Sequence, residues 1–260
     1  MIGDRVFSGC NKIKTIKFQS LPKVLEGSLN DYKPIVSLSD DSYISYQASG
    51  TVDAISYTRT ISNDWGTLVL PYSLTLTGSE PYRLYAISAI SENELVLKQL
   101  EGVVNAGTPC VVHRNNKQAE LSFKANNADI KTAIKDSPVG DNMTFSGTYK
   151  TMEVTDGYVI AKDCFWNVAE LMKNKPETVK GVKVRPFRAW LDGTSAKAPA
   201  RLSMRIDDNT TGINATEVLD ALNDAEAEYY DLSGKRLDEP QKGVNIVRMK
   251  SGKTKKIIIK

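Results

Sequence analysis

The sequence predicts an all-β protein, mostly an antiparallel β-sandwich or jelly roll. The first observation is that many short segments alternate β-branched or aromatic residues with polar ones, as half-buried strands do. The second is that turns rich in glycine, asparagine and aspartate separate these segments at close spacing. The third is the composition of the 260 residues, of which 41% are apolar and 25% are charged, so the chain has enough apolar residues to build a core.

The middle region, residues 34–208, carries the strands expected of the sandwich. The segment 56–61 alternates in the manner of a strand, and the strand that begins at Trp65 ends at Leu70, before Pro71, which cannot donate to a ladder. Residues 128–135 are expected to form one short helix. The predicted strands cover residues 35–38, 56–61, 65–70, 83–90, 94–99, 108–113, 118–123, 143–152, 157–161, 183–191 and 201–206.

The N-terminal end differs from the middle. Ile13, Ile16 and Phe18 have the spacing of the apolar residues in one coil of a solenoid. A single coil cannot bury its own apolar face and needs stacked neighbours. We therefore expect residues 1–33 to be a solenoid remnant, the terminal leucine-rich-repeat unit and cap of a longer array.

The C-terminal end begins at the polar segment 207–212. Residues 216–227 have weak helical character and are expected to be a lightly packed linker. Three further strands are expected to form a small β-meander, so residues 209–260 are interpreted as a linker and a C-terminal β-module. The lysines around the last strand are expected to protect an exposed edge from pairing rather than to bind nucleic acid. These three strands are predicted at residues 228–232, 243–248 and 255–260.

Histidine and cysteine are scarce, and this scarcity bounds the chemistry. The chain has one histidine, His113, and three cysteines, Cys10, Cys110 and Cys164. A Cys₂His₂ zinc site needs a second histidine, and no pair of cysteines has the C-x-x-C spacing. We therefore expect no metal site and no cofactor. The net charge of +3 does not indicate a nucleic-acid partner, and no apolar run approaches the roughly 18–20 residues of a membrane span.

His113 and the aspartates are the candidate catalytic residues, and we expect none of them to be catalytic. Cys110 lies three residues before His113, which places the two side chains on opposite faces of a strand rather than in a nucleophile–base pair. The aspartates at 40–41, 156 and 207–208 stand in polar turns, where aspartate is common for structural reasons. A glycoside hydrolase needs two carboxylates that face each other across a cleft. The sequence is therefore interpreted as non-enzymatic, with a hydrolase as the weakest alternative.

Large aromatic side chains are the best candidates for ligand binding. Trp65, Trp166 and Trp190 are the candidate residues for stacking on a sugar ring, because an aromatic face offers apolar contact to a flat ring. The other interpretation is that they fill the core, which is where large aromatics on sandwich strands usually lie. Both interpretations stay open at this point. The tyrosines considered together with the three tryptophans are Tyr72, Tyr82 and Tyr158.

The N-terminal segment resembles one unit of the bacterial surface-antigen type of leucine-rich repeat. The resemblance covers about 20 residues and lies in the apolar positions of the repeat, with Val6 where alanine is usual. The positions that carry it are Ile2-Gly3, Phe7, Cys10, Ile13 and Ile16.

Two further stretches resemble domains of surface proteins from Bacteroidetes bacteria. The segments 57–60 and 65–72 are similar to a β-domain with a Y-T-R-x-F segment before W-x-T-L-C-L-P-F, and Val69 replaces its cysteine. The segment 230–247 is similar to a short C-terminal β-module, some relatives of which act as sorting signals, and Asn245 stands where tyrosine is usual. Later landmarks of the β-domain match at residues 84–85, 106–109, 145–149 and 185–190.

The resemblance implies a secreted or cell-surface protein, extracellular or on the outer-membrane surface. Residues 1–30 carry no signal-peptide core, which is expected either of a cytosolic protein or of a fragment of a longer one, and the resemblance favours the fragment. The expected function is adhesion or recognition of a protein or glycan partner at the cell surface, without catalysis and with this region mainly as scaffold. The alternative is a carbohydrate-binding module of a surface glycan-capture system.

Overall fold

The computed structural model describes most of the first 207 residues and parts of the remainder. The chain divides into two compact units, Met1–Asp207 and Asp208–Lys260. No helix among the described residues is long and apolar enough to cross a bilayer. The described residues are 1–3, 5–8, 10, 13, 15–23, 34–91, 93–115, 117, 119–140, 143–193, 199–207, 228–231, 234–237, 239, 241, 243–248 and 254–259.

The first unit is built almost entirely of strands. Its described helix, α1 (Val168–Met172), is a single turn that Asn167 caps by accepting a hydrogen bond from the Ala169 N–H at 2.9 Å. The strands are β1 (Lys17–Phe18), β2 (Ile35–Leu38), β3 (Ser49–Thr60), β4 (Trp65–Leu68), β5 (Leu74–Leu76), β6 (Tyr82–Ser91), β7 (Glu94–Gln99), β8 (Gly102–Val104), β9 (Cys110–Arg114), β10 (Glu120–Lys131), β11 (Ser137–Gly140), β12 (Met143–Thr148), β13 (Met152–Val154), β14 (Tyr158–Ala161), β15 (Cys164–Asn167), β16 (Val182–Val184), β17 (Arg188–Asp192) and β18 (Arg201–Ile206).

Two large sheets organise the first unit. The smaller has the order β1-β2-β3-β10, and the larger has the order β11-β12-β17-β14-β15-β18-β7-β6-β9-β4. The larger sheet curls until its edge strand β4 meets β17. There the Thr67 hydroxyl donates to the Ala189 carbonyl at 2.8 Å, and the Val69 N–H donates to the Phe187 carbonyl at 3.2 Å. Two pairs of short strands, β5-β8 and β13-β16, complete the unit.

Three apolar clusters form the core. The first lies between the two large sheets and includes Phe123 of the smaller sheet and Leu84 of the larger. The second is made by side chains of the curled sheet, such as Phe145 and Phe165. The third contains Trp190 and is covered by α1 and the β13-β16 pair. Strand alternation thus gives the curled sheet apolar side chains on both of its faces.

The long β10 changes its buried face at Asn127. Before this residue the buried positions are odd, as at Phe123, and after it they are even, as at Ala128 and Ile130. Asn127 has a φ of 46°, and asparagine tolerates this left-handed conformation better than most residues. The pairing with β3 keeps its register across this point, from Asn126↔Ala54 to Ala128↔Val52. The β3-β10 ribbon therefore bends here while staying paired.

The prediction of an all-β fold is confirmed. Strands β2, β7 and β18 begin and end at the predicted residues. The short helix expected at 128–135 is wrong, because Ala128–Lys131 continue β10 and pair with β3. The alternation of Ala128 and Ile130 across that ladder outweighs any local helical preference.

The second unit contains a four-stranded sheet of β19 (Glu228–Tyr230), β20 (Arg236–Leu237), β21 (Gly243–Arg248) and β22 (Thr254–Ile259), in the order β20-β19-β21-β22. The three predicted strands are present, and a short fourth strand pairs with the first of them. The predicted weak helix at 216–227 lies outside the described residues. The division into residues 1–33, 34–208 and 209–260 stays a prediction.

Candidate functional site

The three tryptophans lie in different surroundings. Trp190 is only 9% exposed and belongs to the core cluster beneath α1. Trp65 is half-buried and packs against the cluster of the curled sheet. Trp166 is half-buried, donates its indole N–H to the Ala161 carbonyl at 3.0 Å, and carries the Arg201 guanidinium 6.0 Å from its ring centroid. Ligand stacking on Trp65 or Trp166 stays a prediction, whereas Trp190 offers almost no surface to a ligand.

The tyrosines considered with them are core residues. Tyr72, Tyr82 and Tyr158 are between 0% and 4% exposed. The Tyr72 hydroxyl donates to the Phe123 carbonyl at 2.8 Å, as a buried phenol requires. Burial raises the pKa of Tyr72 well above its ordinary value. Their interpretation as core fillers agrees with this placement, and the exposed aromatic surface lies elsewhere.

His113 and Cys110 lie in separate environments. The His113 ring packs against Trp65 in a tilted arrangement, with centroids 4.3 Å apart and an interplanar angle of 47°, and Asp64 and Asp163 are near enough to act on its charge. Burial lowers the pKa of His113, an effect that the two carboxylates oppose. Cys110 lies in the cluster between the sheets, where burial raises its pKa to about 12. A thiol with so high a pKa is a poor nucleophile at neutral pH.

The aspartates of the sequence-predicted turns are not gathered around one point among the described residues. Asp156 accepts a hydrogen bond from the Gly157 N–H at 2.8 Å, and Asp40 takes part in an ion cluster described below. Asp208 lies outside the described residues. In the described part of the chain, no group of three or more histidine, cysteine, aspartate and glutamate side chains has the arrangement of a metal site.

An ion cluster around Asp40 connects the loop after β2 to strand β17. One Nη of Arg188 donates to both Asp40 carboxylate oxygens, at 3.0 and 2.9 Å, and its other Nη donates to the Tyr57 hydroxyl. The Tyr57 hydroxyl in turn donates to Asp40. Burial raises the pKa of Tyr57 to about 12, so this phenol stays protonated and keeps its donor. We call Asp40, Tyr57, Arg59 and Arg188 the Asp40 cluster.

Arg59 is the most deeply buried charge of the Asp40 cluster. It is 4% exposed and donates through Nη1 to the Thr67 carbonyl at 2.7 Å. Burial lowers its pKa to about 10, and the neighbouring positive charge of Arg188 acts in the same direction. A Cβ on Gly66 would lie 2.5 Å from Arg59 Nη2, so the absence of a side chain at Gly66 makes room for the guanidinium. The arginine thus ties β3 to β4 across the core.

The Asp40 cluster joins two of the segments from which the sequence analysis predicts a family resemblance. Tyr57 and Arg59 belong to the first segment, and Arg188 belongs to the segment 185–190. The sequence marks both segments but not their contact with Asp40, which is 148 positions from Arg188. The contacts of the Asp40 cluster hold the two large sheets together, so its residues have a structural role.

The loop between β2 and β3, residues 39–48, presents two exposed aromatic side chains. Tyr43 is 64% exposed and Tyr46 is 83% exposed. Neither tyrosine is among the residues predicted to bind a ligand, because both lie in a serine- and aspartate-rich turn rather than on an alternating strand. The sequence signal that could have indicated them is a pair of aromatic residues in a polar segment, because core packing does not explain aromatic residues at such positions. We call residues 39–48 the tyrosine loop.

Hydrogen bonds on both sides hold the tyrosine loop in place. The Leu21 N–H donates to the Tyr43 carbonyl and the Ser45 N–H donates to the Leu21 carbonyl, both at 2.8 Å. The Ser42 hydroxyl donates to the Gln19 carbonyl at 2.5 Å. On the other side, the Thr132 hydroxyl donates to the Tyr46 carbonyl at 2.9 Å. Together with the Asp40 cluster, these bonds fix the backbone from which both tyrosines project.

No family model, curated protein or solved structure matches the chain. The residues themselves therefore carry the functional argument.

Proposed function

We propose that this chain is part of a non-enzymatic cell-surface protein of a Bacteroidetes-type bacterium, acting in adhesion or partner recognition. The N-terminal residues 1–33 would end a leucine-rich-repeat array, and the C-terminal residues 209–260 would form a terminal module. The β-rich region between them serves mainly as a scaffold that presents the tyrosine loop. The proposal places the protein outside the cell or on the outer-membrane surface. The assignment to a Bacteroidetes-type surface protein is supported by the sequence resemblances described above.

The anchored tyrosine loop is the observation that carries the recognition role. Tyr43 and Tyr46 expose most of their surface to solvent, although burying an aromatic side chain is favourable. Tyrosine supplies a large contact area with little side-chain entropy to lose, which is why binding surfaces are rich in it. A loop that is already fixed by hydrogen bonds also loses less entropy on binding. The two features together are typical of a preorganised recognition surface.

An adhesion assay tests this proposal. Beads coated with the purified chain are expected to bind to epithelial cells or mucin-coated plates more than albumin-coated beads do. The Tyr43→Ala/Tyr46→Ala variant is expected to lose at least about 90% of this binding, since aromatic anchors carry most of the energy of an interface. The matched control is Val103→Ala/Val179→Ala, which removes two other exposed apolar side chains, 60% and 41% exposed.

Two outcomes would contradict the proposal. One is bead binding at the albumin level on every surface. The other is an equal loss of binding in the tyrosine variant and in the valine control. Both variants change exposed residues, so both are expected to keep the melting temperature of the unmodified chain.

A further inference from the structure

We propose that the cleft between β5 and the bent part of β10 binds a neutral saccharide. This inference rests on the proposed recognition function and names the class of its ligand. The cleft has a volume of about 440 Å³, which lies within the usual range of small-ligand sites. We call it the β5–β10 cleft; its lining residues are Ser73, Thr75, Lys124, Ala125, Asn126, Asn127, Ala128, Asp129 and Lys131.

Almost every side chain of the β5–β10 cleft can form hydrogen bonds. Two hydroxyls, two carboxamides, two ammonium groups and one carboxylate line it, and the side chains that carry them are exposed. Carboxamides and hydroxyls both donate and accept, the carboxylate accepts and the ammonium groups donate. A ligand with many hydroxyl groups, each able to donate and accept, matches this set. An apolar ligand would desolvate these groups without replacing their hydrogen bonds.

The charges of the cleft favour a neutral ligand over a polyanion. Its lining carries two positive charges, Lys124 and Lys131, and one negative charge, Asp129. Asp129 already accepts a hydrogen bond from the Thr51 hydroxyl at 2.7 Å and stays in place as an acceptor. A phosphate backbone would need several uncompensated cations and would be repelled by this carboxylate. A saccharide hydroxyl can donate to it instead.

The tyrosine loop is bonded to the residue that follows one end of the cleft lining. The Thr132 hydroxyl donates to the Tyr46 carbonyl at 2.9 Å, and Thr132 directly follows the lining residue Lys131. This bond places the tyrosine loop beside that end of the cleft. Tyr46 belongs to this loop and is 83% exposed, and an exposed aromatic face is the kind of surface that packs against the C–H face of a sugar.

The backbone of β10 disfavours an added peptide strand in the same cleft. β10 is the edge of its sheet, and such an edge can accept an extended peptide. However, the left-handed φ of 46° at Asn127 interrupts the edge at its middle. Both sides of this point are also covered, because the Tyr72 hydroxyl donates to the Phe123 carbonyl and the Lys131 N–H donates to the Pro71 carbonyl. A saccharide needs no continuous ladder.

A printed array of defined oligosaccharides, probed with the purified chain, tests the inference. The best-bound neutral oligosaccharide is then titrated by calorimetry into the unmodified chain and into two variants. Lys124→Ala/Asn126→Ala removes two donors of the cleft and is expected to raise Kd about tenfold or more. Lys183→Ala, an exposed lysine on β16 outside the cleft, is expected to leave Kd within about twofold.

The possible outcomes separate this inference from the proposed function. The inference is overturned if no neutral oligosaccharide binds, if binding is unchanged in the cleft variant, or if the chain binds extended peptides in the cleft instead. Bead adhesion that persists in these cases leaves the recognition function standing with another ligand. Bead adhesion that fails as well removes both proposals.

Discussion

Replacing Asp40 by asparagine removes the only carboxylate of the Asp40 cluster and leaves its arginines uncompensated. Asp40 and Arg188 are 20% and 18% exposed, so water replaces the lost ion pair only in part. Losing one partner of a fully buried ion pair costs about 3–5 kcal/mol, and we discount this for partial exposure to about 2–4 kcal/mol. The asparagine side chain also carries an N–H₂ group, a donor, where the Tyr57 hydroxyl and the Arg188 guanidinium both donate, and this mismatch adds to the loss of stability.

Denaturant unfolding followed by tryptophan fluorescence measures this loss. All three tryptophans lie in the first unit, so the signal reports on the unit that contains the cluster. The control is Asp41→Asn, because Asp41 is the exposed neighbour of Asp40, and its change is expected to stay within about 0.5 kcal/mol. For a unit of this size the Asp40 variant would also lower Tm by roughly 5–15 °C.

A double variant checks that the energy comes from the ion pair. Asp40→Asn/Arg188→Met removes both charges, so its destabilisation is expected to be smaller than the sum of the two single changes. Two results would refute the stabilising role of the Asp40–Arg188 ion pair. One is that Asp40→Asn is as stable as Asp41→Asn, and the other is that the effects of Asp40→Asn and Arg188→Met on the free energy of unfolding are additive.

Three smaller predictions concern residues around the core. Gly66→Ala is expected to destabilise the first unit by about 1–3 kcal/mol in the same fluorescence assay, because the alanine Cβ would lie 2.5 Å from Arg59 Nη2. An unchanged denaturant midpoint of unfolding would contradict this close packing of Gly66 against Arg59. His113 is the single histidine, so one NMR signal reports its titration, and burial predicts a pKa below the ordinary 6.5; a value at or above 6.5 would be contrary evidence. Because the unfolded chain then binds the proton more tightly, the His113 contribution to stability is lost as the pH falls from about 6.5 toward the native pKa. The Cys110 thiol is expected to react with Ellman's reagent far more slowly than the part-exposed Cys164 thiol. The variants Cys110→Ser and Cys164→Ser assign each reaction rate to its thiol, and equal rates for the two thiols would be inconsistent with the burial of Cys110.

The strands could largely be predicted from the sequence because alternation is a local signal. Glu94–Gln99 and Arg201–Ile206 were bounded correctly, although they pair in parallel across more than 100 positions. The prediction failed at 128–135, where the mixed spacing of apolar residues allowed a helix and only the pairing with β3 decides for a strand.

The candidate site was harder to predict because it depends on distant contacts. Tyr57 and Arg188 lie in segments from which the sequence predicts a family resemblance, but the sequence around their shared partner Asp40 predicts only an ordinary turn. Tyr43 and Tyr46 stand in a polar turn rather than on an alternating strand, and their exposure is set by the fold. Cleft residues such as Asn127 carry no local motif, and the bend that brings them opposite β5 appears only in three dimensions.

Tyrosine nitration mapped by mass spectrometry tests the central claim most directly. The chain has 11 tyrosines, and in the free protein we expect Tyr43 and Tyr46, 64% and 83% exposed, to be among the first modified. The chain is then nitrated while it is bound to the surface that its beads adhere to. The account predicts that modification of these two residues falls at least about fivefold on binding, since interface anchors are excluded from water. Equal nitration of both tyrosines in the free and bound chain would contradict it.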